Sequence, residues 1–121
     1  MASHSQARIL TFKADGAITA YTAVKNGTDA QHVAAAAATS DSMKGISQDT
    51  ALVAGDPVEV AIPGGGGKAL AGGTITDGDL LTWGASGLVT ASDGNRVVAM
   101  AMDGAVVGDI FPVEVIAGIR G

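Results

Sequence analysis

The chain has 121 residues, no cysteine, a formal net charge of −5 and four aromatic side chains, Phe12, Tyr21, Trp83 and Phe111. That length holds one domain with a modest aliphatic core, and the absence of thiols excludes a disulfide scaffold and any thiolate metal site. The acidic balance disfavours nucleic-acid binding, which relies on clustered Lys and Arg, and no apolar run approaches the roughly 18 residues of a membrane span.

The first residues, Met1 to Arg8, lack a basic stretch followed by an apolar one, so no signal peptide is expected and synthesis in a cytoplasm follows. They are polar and carry no apolar period, which predicts a mobile N-terminal arm over residues 1–8 and a single β-rich domain over 9–121. Eighteen glycines, roughly twice average usage, punctuate short apolar runs as turns do in all-β domains. Arg8 to Lys13 alternates Leu10 and Phe12 against Thr11 and Lys13, and Asp15-Gly16 then marks a turn. Ala17 to Lys25 is rich in Thr, Val and Tyr, and Asn26-Gly27 closes it with a hairpin signal. Ala30 to Ala38, with the five alanines Ala34–Ala38, admits two readings: a short helix with Asp29 as N-cap, or a strand, since so short a helix is marginal without a broad apolar stripe to pack.

Pro57 to Ile62 places Val58, Val60 and Ile62 on one face and Glu59 and Ala61 on the other. The run Gly64–Gly67 after Pro63 reads as an exposed, mobile loop between two halves. Leu88–Thr90, Arg96–Met102 and Phe111–Ile116 are further strand-like runs, with Asp93-Gly94 and Asp103-Gly104 as turns and Met100 and Met102 as core residues on one face. The chain also repeats itself. Ile18-Thr19 returns as Ile75-Thr76, 57 residues later. Gly55-Asp56-Pro57-Val58-Glu59-Val60 is answered by Gly108-Asp109 and Pro112-Val113-Glu114-Val115, the second copy carrying Ile110 and Phe111 as two extra residues. On that alignment Glu59 and Glu114 are equivalent, solvent-facing strand residues. The pattern predicts an all-β fold, a small single-domain barrel or sandwich of two similar halves with at most one short helix.

The motifs that carry chemistry fail on spacing. The P-loop pattern would put its first glycine on Ile62, and Ala69 follows Lys68 where a hydroxyl is required. No G-x-G-x-x-G follows a strand and opens a helix. Asp77 and Asp79 flank Gly78 as a pair of carboxylates, but Leu81 occupies the next position of a calcium loop. Gly84-Ala85-Ser86-Gly87 is one residue short of a nucleophile elbow. His4 and His32 lie far from any zinc-ligand spacing. No catalytic residue, metal or cofactor is expected. Trp83, the one tryptophan, reads as a core anchor or as an interface anchor.

Taken in order, Ala14-Asp15-Gly16-Ala17-Ile18-Thr19-Ala20, Lys44-Gly45-Ile46-Ser47, Ala54-Gly55-Asp56-Pro57-Val58-Glu59-Val60, Leu70 to Thr82, and Val107-Gly108-Asp109 before Val113-Glu114-Val115 resemble the capsid cement, or head decoration, proteins of tailed bacteriophages. The resemblance spans roughly residues 9–117. It implies a non-enzymatic structural protein of the virion that binds the outer surface of an assembled head and stabilises contacts between major capsid subunits. It further implies a homotrimer, with a dimer as the alternative, and neither nucleic acid nor membrane as partner. Capsid or subunit contacts are expected at Ala7, Arg8, Leu10, Phe12 and Trp83, the segment Ala7–Phe12 pairing as an added strand with a capsid subunit or, alternatively, residues 8–13 forming the first strand of the domain's own sheet. The alternative function is a sugar- or surface-binding β module of a phage fibre or adhesin, which needs an exposed aromatic platform and has only Trp83 and Tyr21 to build one.

Overall fold

A computed structural model describes residues 8–36, 43–84, 87–91 and 96–120. Every regular element among them is a strand: β1 (Ile9–Ala14), β2 (Ala23–Asn26), β3 (His32–Ala35), β4 (Met43–Ser47), β5 (Pro57–Ala61), β6 (Gly66–Leu70), β7 (Leu80–Trp83), β8 (Leu88–Thr90), β9 (Arg96–Ala101) and β10 (Ile110–Arg120). The first five close into a barrel in the order β1-β3-β2-β4-β5, and the last five form a sheet in the order β6-β10-β9-β7-β8. Closure of the barrel uses a parallel pair, Lys13 and Ala14 of β1 against His32 and Val33 of β3. The second sheet brings its ends together at one parallel bridge, Ala71 to Leu88.

The two halves share one topology. Tyr21 N donates to Ser47 O and Gly78 N to Ala101 O. Ile18 bridges Ala51 as Ile75 bridges Ala105. Ser47 opposes Val60 as Ala101 opposes Val113, and Asn26 opposes Val33 as Trp83 opposes Leu88. The separation between equivalent residues falls from 57 at Ile18/Ile75 to 53 at Asp56/Asp109, and the lost residues come out of the connections.

The duplication therefore stands, but the Pro-Val-Glu-Val match is two residues out of register. Lys13 opposes Pro57 in the first half and Leu70 opposes Ile110 in the second. Pro57 thus corresponds to Ile110, Val58 to Phe111 and Glu59 to Pro112, so Ile110 and Phe111 are not extra residues and Glu114 corresponds to Ala61. A slip of two leaves every side chain on its own face, which is why the alternation could not expose the error. Glu59 is exposed, whereas Glu114 is half-buried.

The interior of the first barrel holds Phe12, Ala14, Ile18, Val24, Val33, Ala51, Val58 and Val60. Their counterparts Ala69, Ala71, Ile75, Leu81, Leu88, Ala105, Phe111 and Val113 fill the second half. That second core also takes Ala23, Ala36, Ile46 and Ala61 from the barrel's outer face. The barrel's wall is thus buried on both sides where the halves meet, and Ala61, expected on a polar face with Glu59, is fully buried.

Tertiary pairing decides the ambiguous segments. The alanine run supplies β3, not a helix: Asp29 Oδ1 accepts from Gln31 N at 2.9 Å in a turn, Val33 is fully buried, and Ala36 N donates to Ala23 O. Ala37 and Ala38 lie outside the described residues, as does Asp93-Gly94. The glycine run is a loop only in its first half, Gly64 and Gly65. Gly66 and Gly67 begin β6 opposite Glu114 and Val113, Gly64 N donates to Val115 O, and Val115 N donates to Gly65 O. A Cβ on Gly67 would lie 2.8 Å from the Ala61 side chain, so glycine lets the strand approach the barrel wall. Met102 stands beyond the end of β9 and is exposed rather than core.

Candidate functional site

Of the residues expected to make contacts, Arg8, Leu10 and Phe12 lie along β1 or just before it, and Trp83 ends β7 in the other half. Ala7 lies outside the described residues. Arg8 is exposed, and its carbonyl accepts from Ile62 N at 2.9 Å. Leu10 is half exposed at the rim of the barrel, while Phe12, two residues on, belongs to the barrel core. Trp83 is partly buried and packs against the core of the second half, which is the core-anchor reading of that residue. Residues 9–13 form the barrel's own first strand, paired along one edge with β5. On the other edge β3 covers only Lys13 and Ala14. An open groove of about 350 Å³ remains there, lined by Leu10 to Lys13, Ala30, Gln31 and Pro57. Lys13 is its one titratable side chain, so it offers no acid–base pair.

The polar side chains are occupied in turns. Asp79 Oδ2 accepts from Thr76 N at 3.0 Å and from Thr90 Oγ1 at 3.1 Å. Asp15 accepts from Thr28 N and Thr28 Oγ1. His32 Nδ1 lies 2.7 Å from Asp29 Oδ1; this hydrogen bond first, and the Gln31 amide second, hold the Asp29 carboxyl below the usual aspartate range. Thr22 and Ser47, both buried, converge on the carbonyl of Thr19 at 2.6 and 2.8 Å. Among the described residues no three His, Asp or Glu side chains come together as metal ligands would.

The most distinctive surface was missed by the sequence reading. In the β4–β5 connection Leu52 and Val53 are 76% and 61% exposed; in the β9–β10 connection Val106 and Val107 are 58% and 65% exposed. Each pair sits on a turn tied by a carboxylate. Asp56 Oδ2 accepts from Leu52 N and Val53 N, and Asp109 Oδ2 accepts from Val106 N. Each turn ends on a glycine in the left-handed region, Gly55 at φ 92° and Gly108 at φ 90°, a conformation that side chains resist. The tips are therefore held in shape while their side chains face water. The sequence signal was the apolar pair before each Gly-Asp, which reads in isolation as the start of a strand.

No family model matches the chain, and no curated protein matches it. Among solved structures it is similar to the head fiber gp8.5 N base of bacteriophage phi29, with a TM-score of 0.67 and 22% identity over 94% of this chain and 98% of that one. At that identity the likeness shows a shared fold, and the fold is shared from end to end.

Proposed function

We propose that this chain is a structural protein of a phage virion, seated on the outside of the assembled head, where it acts as a decoration protein bound to the major capsid protein. The observation that carries this reading is the end-to-end fold likeness to the base of a phage head fiber. The surface supports it. Nine large aliphatic or Met side chains are at least two-fifths exposed among the described residues, which suits a protein that acts through contact area. Binding only the assembled shell stabilises that shell by mass action. The role requires neither catalysis nor a cofactor. A homotrimer on a local threefold axis, or a dimer, is the assembly proposed, since closed symmetry buries exposed apolar surface.

The test is co-sedimentation with empty heads of the phage that carries the gene. Pelleting with heads but not with unassembled capsid subunits is the expected result; absence from the head pellet sinks the proposal. A fibre or adhesin module that holds sugars is the second reading, favoured by the fiber in the neighbour's description. Under that reading Trp83 fluorescence responds to added sugars, whereas a decoration protein leaves it unchanged.

A further inference from the structure

The β4–β5 and β9–β10 tips stand at equivalent places in the two halves, with Val53 answering Val106, Ala54 answering Val107, and Leu52 an extra residue of the first tip. Each neighbours the segment bridged to it, Ile18 to Ala51 and Ile75 to Ala105. Charge is segregated around them. Segments 15–22, 48–56, 74–79 and 101–110 contain seven of the chain's 12 carboxylates, Asp15, Asp49, Asp56, Asp77, Asp79, Asp103 and Asp109, and none of its seven Lys and Arg residues. Turn geometry accounts for Asp56, Asp79 and Asp109. It leaves Asp77 and Asp103 exposed on the two segments joined by the Ile75–Ala105 bridge, beyond that bridge from the second tip, Asp103 bonding the amide of Gly104.

We infer that the two tips are a pair of related plugs on matching turns, each entering an aliphatic socket ringed by Lys or Arg on a neighbouring subunit of the protein shell. This rests on the head-surface reading above. Charge complementarity selects the occupant. An anionic membrane surface or a nucleic acid would be repelled by Asp56 and Asp109, which tie the two tips, and by the acidic segments that flank them, while a basic rim is attracted and steers encounter. Repetition selects the arrangement, because one chain carrying two related apolar plugs on matching turns suits a partner that presents similar sockets repeatedly. Engagement of one plug makes the second contact intramolecular, so the two reinforce each other.

The test uses the full chain and empty heads of the same phage, with sedimentation at about 50 and 300 mM salt. Leu52→Ser with Val53→Ser, or Val106→Ser with Val107→Ser, is expected to weaken binding about tenfold or more, and all four together to abolish it. Asp77→Asn with Asp103→Asn is expected to weaken binding severalfold and to flatten its salt dependence. Melting temperatures close to that of the parent chain show that the variants fold, since the side chains changed are exposed. Parent-like binding by the fourfold Ser variant overturns the plugs while leaving head binding intact, and so does tighter binding by the Asn variant. Failure of the parent chain itself to bind heads overturns the functional reading and this inference together.

Discussion

In the first half the phenylalanine of one cross-strand pair comes from β1, with Phe12 opposite Val58; in the second it comes from β10, with Phe111 opposite Ala69. Exchanging Phe–Val for Ala–Phe removes two side-chain carbons. The second half regains them where Leu81 and Leu88 stand in place of Val24 and Val33. Each core therefore keeps its filled volume while changing which strand supplies the bulk, as close packing demands. What the two copies preserve is a space and a set of turns, more than a set of residues.

The strongest way to break this comparison is to remove the aromatic ring. Phe12→Ala and Phe111→Ala should each cost about 3–5 kcal/mol in urea denaturation. Phe12→Ala combined with Val58→Phe should recover more than half of the loss, and adding Val24→Leu and Val33→Leu should bring the barrel within about 1.5 kcal/mol of the parent. A combined variant no more stable than Phe12→Ala alone would show that the two interiors are not interchangeable. Next in size is Gly45, fully buried in β4, whose added Cβ would collide with the carbonyl oxygen of Ala61. Its counterpart Ala99 already carries a methyl group, fully buried in β9. Gly45→Ala should cost about 1–3 kcal/mol, against about 0.5–1 kcal/mol for Ala99→Gly, so thermal melts of the two variants should differ in that order.

The turns sharpen the comparison. Gly55→Ala and Gly108→Ala meet open space but positive φ, and each should lose about 1–2 kcal/mol by equal amounts. Unequal losses would mean that the turns are not equivalent. Tyr21, at φ 66°, holds the place that Gly78 holds at φ 89°. Tyr21→Gly relieves that strain but frees the unfolded chain, so its net effect should stay within about 1 kcal/mol of zero. The smallest effect concerns Asp29 and His32, because Gly87 replaces the histidine in the second half. A carboxyl held below its ordinary range stabilises the fold above its unfolded pKa, and that contribution is lost as pH falls through the folded value. His32→Ala should therefore lower stability slightly near neutrality and flatten the acid limb of the melting curve below the ordinary aspartate range. Curves that stay parallel would show that the pair contributes nothing.

The same comparison explains what was legible in the sequence. Ile18-Thr19 against Ile75-Thr76 and Gly55-Asp56 against Gly108-Asp109 are visible because turns demand particular residues. The alternation of β5 and the all-β class are visible for a similar local reason. The register of β10 against β5 was hidden, since a period of two cannot detect a slip of two. The alanine run stayed open between helix and strand, and the glycine run read as a loop, because their conformations are set by distant partners, Ala23 for Ala36 and Val115 for Gly64 and Gly65. The tips escaped notice because an aliphatic pair looks the same in sequence whether it enters a core or faces water.

β10 has a mechanical consequence. It runs 11 residues between two neighbours, facing β6 from Ile110 to Glu114 and β9 from Val113 to Arg120. Val115 also exchanges hydrogen bonds with the linker at Gly64 and Gly65. Tension drawn along this strand loads both ladders in shear, so many bonds must fail at once. The three-residue β8 pairs with β7 along its length and meets the other side only at the Leu88–Ala71 bridge, and an outward pull there unzips nearly one bond at a time. Traction through β10 should accordingly meet the greatest resistance to rupture, and traction through β8 the least.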